Sequence, residues 1–184
     1  APEALLSMMA RLGSSQPVEL KMSLDEIAEG FDLSQFGAAP TKFDAEDLIP
    51  LTRARNQHLP FAAVRDEVAK LGIPTEQAEA FWAVASKNID TLGDLGKWAD
   101  LVLNGAEPLV APEDAEFIAQ ALALLPEAPF TASTWSQWTA AVKAATGRKG
   151  KGLFMPLRRA LTGMDHGPEM ADLLPLLHRI RAKG

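Results

Sequence analysis

The sequence predicts an all-α protein, an orthogonal helical bundle with two helical subdomains, and three observations carry that expectation. Apolar residues recur at helical spacing, as in Leu5, Leu6, Met8, Met9 and Leu12 or in Ala78, Phe81, Trp82 and Ala85. No stretch alternates apolar and polar residues as a half-buried strand does, and alanine and leucine outnumber the β-branched residues. No heptad persists, so the helices are expected to cross at an angle rather than coil.

The elements follow in order. A first helix runs through residues 1–13 and stops at Gly13, a residue type that easily takes the left-handed turn beyond a helix. Residues 14–21 turn around Pro17. Ser23 and Glu26 have the spacing of a capping box and open a helix ending at Gly30. Residues 31–41 are loop, after which Asp44 caps a helix expected to break near Pro50 and to finish before Pro60. Phe61 to Leu71 closes with Gly72, Thr75 caps a helix over 76–87, and a third helix over 91–103 closes at Asn104-Gly105. Residues 104–111, NGAEPLVA, cluster Gly and Pro and are the best linker in the chain. Pro112 begins a helix reaching Leu125. Thr134 and Gln137 repeat the capping-box spacing before a helix that ends at Gly147. Leu153 to Leu161 is a short apolar and basic segment stopped by Gly163, and Gly167-Pro168 restart the chain. Glu169 to Lys183 is read as a helix split in two by Pro175.

At 184 residues the chain can hold one sizeable domain or two small ones. It has no cysteine, which excludes disulfides and thiolate metal sites and makes the cytoplasm the expected location. No apolar run approaches the roughly 20 residues of a membrane span, and no signal segment opens the chain. Because the first residue is Ala, a processed chain or a piece of a longer one is expected.

The net charge of −6 argues against a polyanion partner, but its distribution argues for one. Residues 147–184 hold eight basic and three acidic side chains, a balance of +5, while the first 146 residues hold ten and twenty-one, a balance of −11. Arg148, Lys149 and Lys151 lie in a glycine-broken loop, suited to a phosphate backbone because flexible cations need no single geometry. Arg158, further along, offers a planar fork of donors to a phosphate or a base edge.

Enzyme chemistry finds no foothold. A phosphate-binding loop needs Lys-Ser/Thr directly after its last glycine, and Leu153-Phe154 follow Gly152. His58, His166 and His178 show no metal-ligand spacing, and Asp165-His166 lacks a nucleophile, so neither a catalytic nor a metal residue is assigned. Trp82, Trp98, Trp135 and Trp138 all fall on helices, where spacing favours the core over base stacking.

The run KGLFMPLRRALTGMDHGPEM (151–170) resembles the C-terminal anticodon-binding region of bacterial glutamyl-tRNA synthetases. ALLSMMARLGS (4–14), APTKFDAEDL (39–48) and NIDTLGDL (88–95) resemble further stretches of that family in the same order. The resemblance implies a piece of a longer enzyme whose nucleotide-binding domain precedes Ala1. Residues 1–59 would end its stem-contact region, and 60–107 and 108–184 would be its two anticodon-binding subdomains. It implies tRNA as partner, together with the missing N-terminal catalytic domain of the same chain. ATP and Mg²⁺ would serve the whole enzyme and no cofactor this fragment.

By the same resemblance Arg158 lies where members contact the anticodon, and Gly167, Pro168 and Met170 form the turn that packs against its splayed bases. Asn88 stands where members strict for glutamate place an arginine, which implies relaxed discrimination between glutamate and glutamine tRNAs. Thr52 replaces the family's usual Asn. Lys21-Met22-Ser23 matches only three residues of the KMSKS nucleotide loop, and Ser23 is already explained as a cap. The rival reading is a helical protein-interaction module without RNA binding, favoured by the acidic body.

Overall fold

The computed structural model describes residues 1–183. Every named element among them is helical, and the only paired extended backbone is an isolated bridge between Ser14 and Phe36. Ten α-helices are described: α1 (Pro2–Met9), α2 (Leu24–Glu29), α3 (Leu48–His58), α4 (Arg65–Ala69), α5 (Thr75–Ala85), α6 (Leu95–Asn104), α7 (Ala115–Ala123), α8 (Thr134–Thr146), α9 (Lys151–Thr162) and α10 (Met170–Leu173). None of the described helices is long and apolar enough to cross a membrane. The chain divides into two compact units, Ala1–Val64 with Ile89–Asp94, and Arg65–Asn88 with the chain from Leu95 onward.

In the first unit α1 packs on α3. Arg55 of α3 meets the Glu3 carboxylate through Nε at 3.2 Å and Nη2 at 3.4 Å, a two-pronged contact that fixes the pair. Asn56, 1% exposed, donates to the Asp90 carbonyl at 3.1 Å, and Arg53 ion-pairs with Asp90, so Ile89–Asp94 is tied to α3. Ser23 caps α2 as expected, accepting from Glu26 N, but the Glu26 carboxylate reaches past Ser23 to the Met22 amide at 2.9 Å. The break expected near Pro50 does not occur. Pro50 is the third residue of α3, where a backbone N–H has no intrahelical acceptor, so the ring removes no bond.

The second unit holds the larger core, with Phe81, Trp138, Leu153, Leu157, Leu173 and Leu174 essentially sealed from solvent. Trp138 also donates Nε1 to the Ala121 carbonyl at 2.7 Å, which satisfies its polar atom and locks α8 to α7. Neither threonine expected as a cap acts as one. Thr75 is the first residue of α5, and Thr134 spends its hydroxyl on the Thr131 amide at 2.8 Å. The C-terminal segment is one short helix, α10, followed by 3-10 turns at Leu174–Leu176 and Arg181–Lys183, because Pro175 cannot donate to an α pattern.

Residues 104–111 are not a free linker. Arg181 donates to the Asn104 carbonyl at 3.0 Å, and Leu109 N donates to Arg159 O at 3.1 Å. Gly163 ends α9 in a left-handed conformation (φ 67°), and a Cβ there would lie 2.7 Å from the Glu107 carbonyl. Both the turn and the close approach demand glycine, which gives ALTG its physical reason.

Candidate nucleic-acid interface

α9 organises the site. Leu153, Leu157, Ala160 and Leu161 face the core, which leaves Arg158 half-buried on the helix flank and Phe154 45% exposed. Pro156 sits inside this helix and cannot donate to the Gly152 carbonyl, its partner one turn back. Arg148 supplies a replacement donor, its Nη1 reaching Gly152 O at 3.3 Å. The same guanidinium ion-pairs with Asp114 at 2.5 Å and lies 4.0 Å over the Phe117 ring. Arg148 is therefore held within the molecule, whereas Lys149 and Lys151 are exposed and have no ion pair among the described residues. The basic loop separates into one structural cation and two open ones.

Arg158 lines a cavity of about 340 Å³ with Trp135, Phe154, Met155, Glu169 and Met170. Its Nη1 is buried without a hydrogen-bond partner, and no carboxylate comes within ion-pair distance among the described residues. A buried cationic donor left unmatched is costly to folding, and here it belongs to a residue that lines a cavity. Arg159, its neighbour, is instead engaged by Asp165, which explains the acidic residue of the Asp165-His166 pair without catalysis.

Gly167 is exposed at φ 150°, and a Cβ there would lie 3.4 Å from Arg158 Nη1 and 3.7 Å from Trp98 Cη2. A Cβ at either distance is in ordinary contact, so it is the backbone conformation that favours glycine here. Trp98 and Met164, with Leu101 and Thr162, line a second cavity of about 250 Å³. Pro168 and Met170 are both buried, and of the two only Met170 lines the Arg158 cavity. The structure thus groups Arg158, Gly167 and Met170. Asn88 is not among the residues lining either cavity; it is half-buried at the end of α5 and donates Nδ2 to Val84 O at 2.8 Å.

Two wall residues escaped sequence reasoning. Trp135 was expected in the core with Trp138, but only Trp138 is buried there. Trp135 is half-exposed, 5.6 Å from Trp138 in an edge-on arrangement and 6.3 Å from the Phe154 ring. Phe154 carries a signal in retrospect, being an aromatic on the polar flank of an otherwise amphipathic helix. Among the described residues no group of His, Asp and Glu could hold a metal ion.

Residues 57–182 match the family model described as anticodon binding domain. The chain is 67% identical over 184 residues to glutamate–tRNA ligase 1 of Paracoccus denitrificans and 66% identical over 183 residues to glutamate–tRNA ligase 1 of a Cereibacter sphaeroides strain. In each case it is matched along its whole length but spans only 42% of the relative. Among solved structures, a glutamate–tRNA synthetase from Elizabethkingia anophelis superposes with a TM-score of 0.71 at 23% identity, over 96% of this chain and 38% of the other. A glutamate tRNA ligase from Elizabethkingia meningosepticum, in complex with its amino acid, does so at 0.69 and 24%, over 95% and 38%. These likenesses bear on the fold.

Proposed function

The chain belongs to the anticodon-binding domain family, and on that premise we propose that it is the tRNA-reading part of a glutamate–tRNA ligase working in the cytoplasm. In this reading residues 1–59 end the stem-contact region. Residues 60–107 and 108–184 are the two anticodon-binding subdomains, and the chain from Leu95 onward shares one compact unit with Arg65–Asn88. The observation that carries the reading is the unmatched Nη1 of Arg158, a residue that lines an aromatic-walled cavity. An unpaired anticodon loop offers what that cavity lacks: a base edge with acceptors for the guanidinium and a π-face for Phe154 and Trp135. Gly167, Pro168 and Met170 form the turn that packs against the splayed base, and Lys149 and Lys151 hold the phosphates on either side.

Glutamate activation with ATP and Mg²⁺ and transfer to the tRNA's terminal ribose fall to the part of the ligase outside this chain. Ser23, the last residue resembling the nucleotide loop, spends its hydroxyl on the Glu26 amide at 3.2 Å, so no ATP step is assigned here.

Asn88 extends the proposal to relaxed tRNA choice. One of its amide hydrogens is spent on Val84 O, leaving a second hydrogen and Oδ1 to meet either cytosine or guanine; an arginine is donor-only. Gel-shift titration of the full-length protein with tRNA at low and high salt tests the main reading. Salt-sensitive binding that falls when Arg158 is replaced is expected, and tRNA binding indifferent to Arg158 would refute it.

A further inference from the structure

The outer face of α1 is apolar where a surface helix is normally charged. Ala4, Ser7 and Met8 are buried, and Leu5, Leu6 and Met9, on the opposite side of the helix, are 41%, 43% and 43% exposed. The one charged residue of α1, Glu3, is engaged by Arg55, so nothing solubilises the outer stripe. A helix apolar on both sides belongs between two layers. The rest of the first unit agrees. Of the twelve large hydrophobic side chains exposed among the described residues, nine lie in the first unit, including Leu24, Phe31, Leu33 and Ile49, and three in the larger second unit. Single exposed apolar residues are ordinary, whereas such a concentration marks a covered surface.

We propose that the outer face of α1 is the docking surface for the part of the full-length protein that precedes residue 1. The inference rests on reading this chain as part of a longer ligase. More than half the length of the relatives it matches lies outside it, and α1 is the element nearest in sequence to a preceding domain. A domain joined directly to α1 is present at high effective concentration and needs only modest contact area to stay docked. RNA is a poor occupant, because α1 contains no Lys or Arg for phosphates.

Methionine oxidation of the full-length protein by dilute peroxide, without tRNA and read by peptide mass spectrometry, tests this. Of the six methionines, Met9 alone is exposed; Met22, Met155 and Met164 are intermediate, and Met8 and Met170 are buried. If the preceding part covers α1, Met9 drops from the fastest-oxidising position to the slow class of Met8 and Met170, while Met155 and Met164 stay intermediate. If Met9 oxidises first, or if its protection disappears on dilution and so comes from a second copy, the proposal is overturned. The Leu6→Asp, Met9→Asp double variant adds a second readout. It should cost the full-length protein its cooperative unfolding while the salt-sensitive binding of an isolated anticodon stem-loop survives. Stem-loop binding by the unsubstituted protein separately decides the ligase reading, so failure of the one does not imitate failure of the other.

Discussion

Replacing Arg158 by methionine should make the protein more stable and worse at holding tRNA, and the opposition of those two signs is the test. Arg158 Nη1 is buried with no partner, and such an atom costs folding about 1–3 kcal/mol. Methionine keeps most of the apolar stem against Trp135 and Met170 while removing the unmatched group. For a domain of roughly 150–250 residues each kcal/mol moves its own unfolding temperature by about 2–4 °C. Arg158→Met is therefore expected to raise it, measured by calorimetry on the full-length protein without tRNA. Losing a planar contact to a base edge costs about 1–3 kcal/mol of binding, which is about a 5–150-fold weaker Kd. Arg158→Lys should not restore it, because an ammonium carries charge without the fork. A drop in unfolding temperature for Arg158→Met, or an unchanged tRNA affinity, would falsify the argument, since the guanidinium would then be serving the fold.

The two kinds of loop cation should separate cleanly. Arg148→Ala loses the donor to Gly152 O, the Asp114 pair and the Phe117 contact together, and is expected to destabilise the fold by about 1–3 kcal/mol in chemical denaturation. Lys149→Ala should leave stability alone and lower the slope of log binding constant against log salt by about one; equal effects of both variants on that slope would contradict the division. Asn88→Arg in the full-length protein should reduce aminoacylation of glutamine tRNA more than that of glutamate tRNA, and parallel losses on both would remove Asn88 as a determinant. The Glu3 carboxyl is held below its ordinary value of 4.5 by its own backbone amide and by Arg55, against opposing burial. A lowered folded-state value means stability that is present above about pH 4.5 and lost as pH falls through the folded value. Glu3→Gln should accordingly flatten the acid limb of a stability–pH curve, and an unchanged limb would place that dependence elsewhere.

Local chemistry made much of the fold legible. Gly147 and Gly163 were read as helix stops and both are left-handed caps, because the requirement is met within a single turn of chain. Pro50 was misread because the effect of proline depends on its position in the helix, and the start of α3 at Leu48 is not written in the residues around it. Trp135 and Trp138 share a helix and a spacing, yet only Trp138 is buried, its Nε1 met by the Ala121 carbonyl seventeen residues away. Arg148 and Lys149 are neighbours of equal charge, and Asp114 and Phe117, more than thirty positions upstream, decide which one stays open. Arg158 was singled out from its residue type and setting, but its unmatched nitrogen became visible only with the surrounding side chains in place.

The stretch from Asn104 to Leu109 is stitched to its surroundings, gripped by Arg181, Gly163 and Arg159 in turn. Two hydrogen bonds and a close backbone approach tie it to α9 and to the C-terminal segment. What composition marks as the slackest stretch of the chain is thereby one of its fastened ones.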